Sequence, residues 1–230
     1  MDSNALFQFS TFDAIMGGIG DHGSTVNDLL RKGDHGLGTF RQMCGEMVMI
    51  DGETYQVTAD EGVIKAEGGA ILPFAQVTRF SPSNVRDIDP LDKISLSAAL
   101  QENHPASNNL FVSIRIDGNF EQLSTHIVRQ QKFSGQPGSE LLKNMKHDVL
   151  KDISGTAFGF RSPNHAGFSP AGLHLHFISA DRQFGGHVID FRMLRGTLGS
   201  CVIRNIQLEF PTSEAFNEME FVAQPKASNQ

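Results

Sequence analysis

The chain has 230 residues, 39% of them hydrophobic, and a formal net charge of −7 from 19 basic and 26 acidic side chains. That length and apolar content suit one large domain or two small ones with a true core, not a disordered chain. The acidic balance, with no long run of Lys or Arg, disfavours nucleic acid and anionic membrane as partners.

The first residues, MDSNALFQFSTFDAIMGG, carry neither the basic start nor the apolar stretch of a signal peptide. No segment approaches the ~20 apolar residues of a membrane span, so a cytoplasmic protein is expected. Only Cys44 and Cys201 occur. Neither a disulfide framework nor a cysteine metal site is legible, and both are expected as buried, reduced thiols.

Two short helices are expected first. Ser10 or Thr11 can cap one that Gly17-Gly18 stops, and Ser24 or Thr25 can cap another that carries Asp28 in its first turn and ends at Gly33. Alternation then predicts strands in TFRQM and in EMVMIDGETYQVT, where Asp51-Gly52 is a strong hairpin turn. SPSNVRDIDPLDK, with Pro82 and Pro90, reads as a surface connection, and LDKISLSAALQENH as a helix. FVSIRIDGNFEQLSTHIVRQ predicts two strands about an Asp117-Gly118 turn, and SELLKNMKH a helix. The last third reads as strand: GTAFGFRS, GLHLHFIS, GHVIDFRML and CVIRNIQLEF. A β-dominated α+β protein follows, with a seam near residues 100 to 110.

The run GLHLHF concentrates the chemistry. On a strand, His174 and His176 share one face, while Leu173, Leu175 and Phe177 share the other. If an antiparallel hairpin pairs residue 176 with 187, His187 joins the histidine face, its Cβ roughly 5 Å from that of His176. A lone histidine on a half-exposed strand is ordinarily solvated. Three that return to one face can share an ion, and three neutral imidazoles without cysteine favour zinc or another divalent cation with positions open for substrate. Glu46 and Asp190 are the nearby carboxylates, although Asp190 is expected to face away. Neither KGDHGLGT nor GGIGDHGS has the lysine and helix of a phosphate loop, and no serine sits in a nucleophile elbow.

LFQFST, KGDHGLGTF, GEMVMIDG, IRIDGNF, GFRSP and above all GLHLHFISADRQFGGHVIDF resemble, in order and over nearly the whole chain, the alpha-acetolactate decarboxylase family. The resemblance implies zinc on His174, His176 and His187, Glu46 at the metal as ligand or proton carrier, and Thr39 lining the pocket. It implies two interlocked mixed β-sheet lobes with the metal between them, usually in a homodimer. The lobes are expected at 1–103, with the two short helices, and 104–230, with the histidine site, together one catalytic unit.

Two departures stand out. The family's substrate-facing arginine falls on His126, so His126 is expected to polarise the substrate more weakly, or Arg129 or Arg161 to reach in. The tail offers Glu218 and Glu220 without a convincing match to the late glutamate of the family. The activity implied is metal-dependent conversion of 2-acetolactate, a small 2-hydroxy-3-keto acid, to acetoin through a chelated enediolate. A non-catalytic acyloin-binding relative is the alternative. A cupin-type dioxygenase is disfavoured, because Ala180 and Asp181 stand where its glutamate belongs.

Overall fold

In a computed structural model, which describes residues 3–221, the first half of the chain follows its local signals. β1 (Leu6–Phe9) leads into α1 (Phe12–Met16), where the Thr11 side chain accepts the Ala14 N–H and Gly17 ends the helix. After the short β2 (Ser24–Thr25), Thr25 and Asp28 form a capping box on α2 (Val26–Lys32), which stops at Gly33. β3 (His35–Thr39) precedes the hairpin of β4 (Glu46–Ile50) and β5 (Glu53–Thr58). Its turn residues Asp51 and Gly52 are both left-handed, at φ 54° and 77°, as a tight hairpin turn requires. β6 (Gly62–Lys65), β7 (Ile71–Leu72), β8 (Phe74–Thr78), β9 (Asn84–Ile88) and β10 (Leu91–Asp92) follow, then α3 (Lys93–Asn103), capped by Asp92.

The second half is dominated by long strands: β11 (Phe111–Ile127), β12 (Lys146–Ser162), β13 (Gly172–Ser179) and β14 (Gly185–Ile203). The four-residue α4 (Gly138–Leu141) lies between β11 and β12, and β15 (Ile206–Glu209) and α5 (Glu214–Glu218) close the described chain.

Two sheets result. The first has the order β15-β1-β8-β3-β4-β5-β6, and the second β10-β14-β11-β12-β13, with β9 also on β14. β13 pairs with both β12 and β14, so four strands of the second sheet close on themselves. The sheets trade segments: β15 runs parallel to β1, while β9 and β10 join β14. The lobes are therefore interlocked, as expected. One apolar cluster joins them, with Leu37, Val48 and Phe74 of the first sheet against Phe158, Phe160 and Ile178 of the second.

Four local expectations are corrected. Asp117-Gly118 is not a turn: β11 runs straight through it for 17 residues. Gly118 stands directly opposite Gly155 on one side and Gly196 on the other. A Cβ on Gly118 would lie 2.4 Å from the Arg195 carbonyl oxygen, so this glycine serves close strand approach, not reversal. The surface connection at SPSNVRDIDPLDK contains β9 and β10; its polar alternation is that of a strand at a sheet margin, with Ile88 buried. In TFRQM the strand pairing ends at Thr39 and the chain turns after Phe40 through a 3-10 turn over Arg41–Met43, in which Gln42 and Met43 are left-handed at φ 57° and 54°. The helix at SELLKNMKH shrinks to α4 and a 3-10 turn over 142–144, since Lys146 and His147 are taken up by pairing with Ile127 and His126. Of the cysteines, Cys201 is buried and Cys44 half-buried, both as free thiols.

Candidate active site

The expected register is observed: His176 pairs with His187 across β13 and β14. The connection is tied by side chains that gather its amides. Ser179 Oγ accepts the Gln183 and Phe184 N–H groups at 3.1 and 2.9 Å, and Asp181 Oδ1 accepts the Gln183 N–H at 3.1 Å. Gly186, at φ 142°, passes so close to β11 that a Cβ would sit 3.0 Å from the His126 carbonyl oxygen.

His174, His176 and His187 each offer a ring nitrogen, and these atoms all lie within 4.8 Å of one another. His174 and His176 are fully buried, and burial together with the neighbouring imidazoles keeps all three rings neutral, the state in which a histidine can ligate. His176 Nδ1 lies 2.8 Å from the Met47 carbonyl, which only accepts, so Nδ1 carries the proton and Nε2 the lone pair. His174 Nδ1 and His176 Nε2 are buried without a hydrogen-bond partner. Buried polar atoms are almost always satisfied. Two buried ring nitrogens without a partner, in a cluster whose ligand atoms all lie within 4.8 Å of one another, fit a divalent cation, and the three-histidine group can hold one.

The first sheet supplies the carboxyl. Glu46 opens β4, one residue before the Met47 carbonyl that orients His176, and stands opposite Thr39 on β3. The Thr39 hydroxyl donates to the Gly45 carbonyl at 2.8 Å and fixes the turn ahead of Glu46. Glu46 Oε1 accepts the Val128 N–H at 3.0 Å, while Oε2 approaches His176 Nε2 at 3.5 Å, close but not a hydrogen bond. Burial pushes the Glu46 carboxyl up to about 7, partly offset by the Val128 N–H.

His126 enters through a β-bulge. Ser124 pairs with Asp190 and Thr125 with Val188, leaving Ile189 unpaired and bringing His126 opposite His187. Lys93 Nζ donates to the Ile189 carbonyl at 2.6 Å, satisfying the bulge. The His126 ring stacks on His187 with centroids 4.2 Å apart and planes within 5°. Burial, reinforced by His147 and Lys93, lowers its pKa to about 4, so it is neutral at pH 7.

These groups line a cavity of about 310 Å³ between the sheets. Thr39, Glu46, His126, His174, His176 and His187 are polar; most of the remaining wall is apolar, from Phe12, Ile15, Met16, Met43, Leu142 and Leu173. Among the described residues, no Lys or Arg lines it.

Arg161 is not brought to it. Its neighbour Phe160 stands opposite His174, so Arg161 projects from the other face of β12, where it donates to the Ser107 carbonyl and hydroxyl at 2.8 and 2.7 Å. Arg129 pairs with Asp60 at 2.7 Å on the surface. The bulge turns Asp190 back toward the histidine face beside Ser124, contrary to expectation, yet it is exposed and outside the cavity. Glu218 and Glu220 are exposed and do not join the histidine cluster. Sequence reasoning missed the Val128 amide, the Met47 carbonyl and Lys93. The first two are backbone groups, and the bulge that Lys93 supports has no composition signal.

Interlocked sheets close a largely apolar cavity of small-molecule size over a buried carboxyl and a three-histidine group that can hold a metal ion. The family profile described as alpha-acetolactate decarboxylase matches residues 6–223. The alpha-acetolactate decarboxylase of Raoultella terrigena is 34% identical over 93% of this chain and 83% of its own. That of Methanosarcina mazei is 34% identical over 95% of this chain and 76% of its own. The crystal structure of alpha-acetolactate decarboxylase from Bacillus subtilis strain 168 superposes with a TM-score of 0.90, at 30% identity, over 94% of this chain and 93% of that one. The chain belongs to the alpha-acetolactate decarboxylase family.

Proposed function

We propose that the protein is a carboxy-lyase that converts 2-acetolactate to acetoin and carbon dioxide, with zinc held by His174, His176 and His187. The observation that carries the reading is the pair of orphaned imidazole nitrogens facing a cavity that also holds a buried carboxyl. A divalent cation bound there supplies Lewis acidity to the hydroxyl and ketone oxygens of the substrate.

The residues divide the remaining work. Loss of carbon dioxide breaks the bond to C2 and leaves its electron pair on a carbon beside the ketone; acetoin forms when that carbon takes a proton. Glu46 is the donor: Oε1 is occupied by the Val128 N–H, so the proton is carried at Oε2, on the His176 side. The neutral His126 ring donates one N–H toward the substrate, a weaker polarising group than a guanidinium. Thr39 holds the Gly45 turn and with it the position of Glu46. The apolar wall keeps bulk water from the reacting carbon. Residues 1–103 and 104–230 act as the two lobes of one catalytic unit, since each supplies part of this machinery.

We place the enzyme in the cytoplasm and as a homodimer. No helix among the described residues is long and apolar enough to cross a membrane. The test is acetoin formation from racemic acetolactate, read by its colour reaction with and without a chelator, alongside metal analysis of the wild type and His176→Ala. Zinc-dependent acetoin supports the reading. Zinc-loaded protein that yields none would make the chain a non-catalytic, acyloin-binding relative.

A further inference from the structure

The polar and apolar linings of the cavity come from different elements. Strands β3, β4, β11, β13 and β14 carry the polar groups, whereas α1 and the 3-10 turn over 142–144 carry Phe12, Met16 and Leu142. None of these three apolar side chains is fully buried, and Leu142 is 42% exposed. The wall is firmly built: α4 packs so closely on α1 that a Cβ on Gly138 would lie 2.8 Å from Met16 Sδ. Solvated apolar surface rimming a polar site is surface that a ligand can cover. 2-Acetolactate brings only two methyl groups to it.

We propose that this wall is an alkyl subsite, and that the protein prefers 2-hydroxy-3-oxo acids in which a straight chain of three or more carbons replaces one of the two methyls. The inference rests on the carboxy-lyase reading of the same cavity. Each methylene moved from water onto the wall strengthens binding by about fourfold, the equivalent of ~0.8 kcal/mol. The carboxylate, hydroxyl and ketone stay with the polar strands.

The test uses the reduced 2,3-dihydroxy analogues, which lack the ketone and cannot decarboxylate. Two series, lengthened from methyl to pentyl at either alkyl position, are titrated calorimetrically into zinc-loaded protein. The expected result is a Kd that falls about fourfold per methylene in one series, and by less than about twofold per methylene in Met16→Gln and in Leu142→Ser. Leu142 is exposed enough that its variant folds even if the Met16 variant does not. A flat or rising Kd in both wild-type series, or an undiminished gradient in Leu142→Ser, overturns the subsite. Turnover of 2-acetolactate by the same preparation separates the two ideas: acetoin with a flat series removes only the subsite, whereas absence of acetoin removes the carboxy-lyase reading.

Discussion

Chelation is expected to destabilise the fold, and His176→Ala to abolish that response. The structure sets the scale. His174 Nδ1 and His176 Nε2 are buried with no hydrogen-bond partner, and an orphaned buried polar atom costs roughly 1–3 kcal/mol. The metal-free fold therefore carries about 2–6 kcal/mol of unsatisfied polarity that a bound cation relieves. By mass action, a cation at one hundred times its Kd contributes about 2.7 kcal/mol. In a chain of this length, each kcal/mol moves the melting temperature by roughly 2–4 °C. Thermal unfolding of chelator-treated protein with graded zinc should thus rise by about 5–11 °C in the wild type. His176→Ala deletes one ligand and also the donor to the Met47 carbonyl, so its own melting temperature shifts, but its zinc-dependent increment falls below about 1 °C. An increment equal in both proteins, or absent from the wild type, would refute the convergence of the three rings on one ion.

Glu46→Gln preserves shape and the acceptor for the Val128 N–H but cannot deliver a proton; kcat should fall by about 10²–10⁴ with little change in KM, measured as acetoin release, and full turnover would remove Glu46 as donor. His126→Arg places a permanent cation where a neutral ring stands. A gain in kcat/KM of about tenfold or more is expected from such a donor, and no gain would place the reacting oxygens elsewhere. Arg115→Met breaks a clamp between the sheets, in which the guanidinium meets Asp51 at 2.6 Å, Asp117 at 2.7 Å and His35 Nε2 at 2.7 Å. Both carboxylates are more than a third exposed and recover water, so their share is discounted; the buried His35 acceptor is not, and the loss should be about 2–3 kcal/mol in urea unfolding. The Arg115 hydrogen bond holds the Asp51 carboxyl below its usual range. Its stabilisation is therefore full above the unfolded value near ~3.9 and lost as pH falls through the depressed folded value. The wild type should show this acid limb and Arg115→Met should not.

The parts of the fold legible in the sequence are those set by a few adjacent residues. Thr11, Thr25 with Asp28, and Asp51-Gly52 satisfy or reverse their own backbone, so their signal survives any tertiary context. The same dipeptide at Asp117-Gly118 fails as a turn because its partners are remote: Gly155 and Gly196 flank Gly118, and Arg115 and Thr156 hold the Asp117 carboxylate. Aspartate and glycine thus have two uses, hairpin reversal and close strand approach, and only the neighbouring strands decide between them. β9 was hidden for a related reason. A five-residue strand at the margin of a sheet keeps most of its side chains polar, and its extended state is fixed by hydrogen bonds to β14, more than a hundred positions away.

The histidine site divides along the same line. His174 and His176 need only the two-residue period of a strand, and His187 needs only a short connection that pairs it with His176, so all three could be placed from local sequence. His126 could not. Its place opposite His187 depends on one extra residue, Ile189, being accommodated in β14, and on Lys93 reaching the freed carbonyl. Without that bulge the register of β11 would slip by one, and the imidazole would turn to the other face of the sheet. The row His147, His126, His187, His176 across β12, β11, β14 and β13 is thus a product of register. Arg161 illustrates the converse: an odd offset from the residue opposite His174 is enough to carry a full guanidinium away from the cavity and onto Ser107. Whether a cation faces this substrate is decided by strand phase, not by how many arginines the nearby sequence contains.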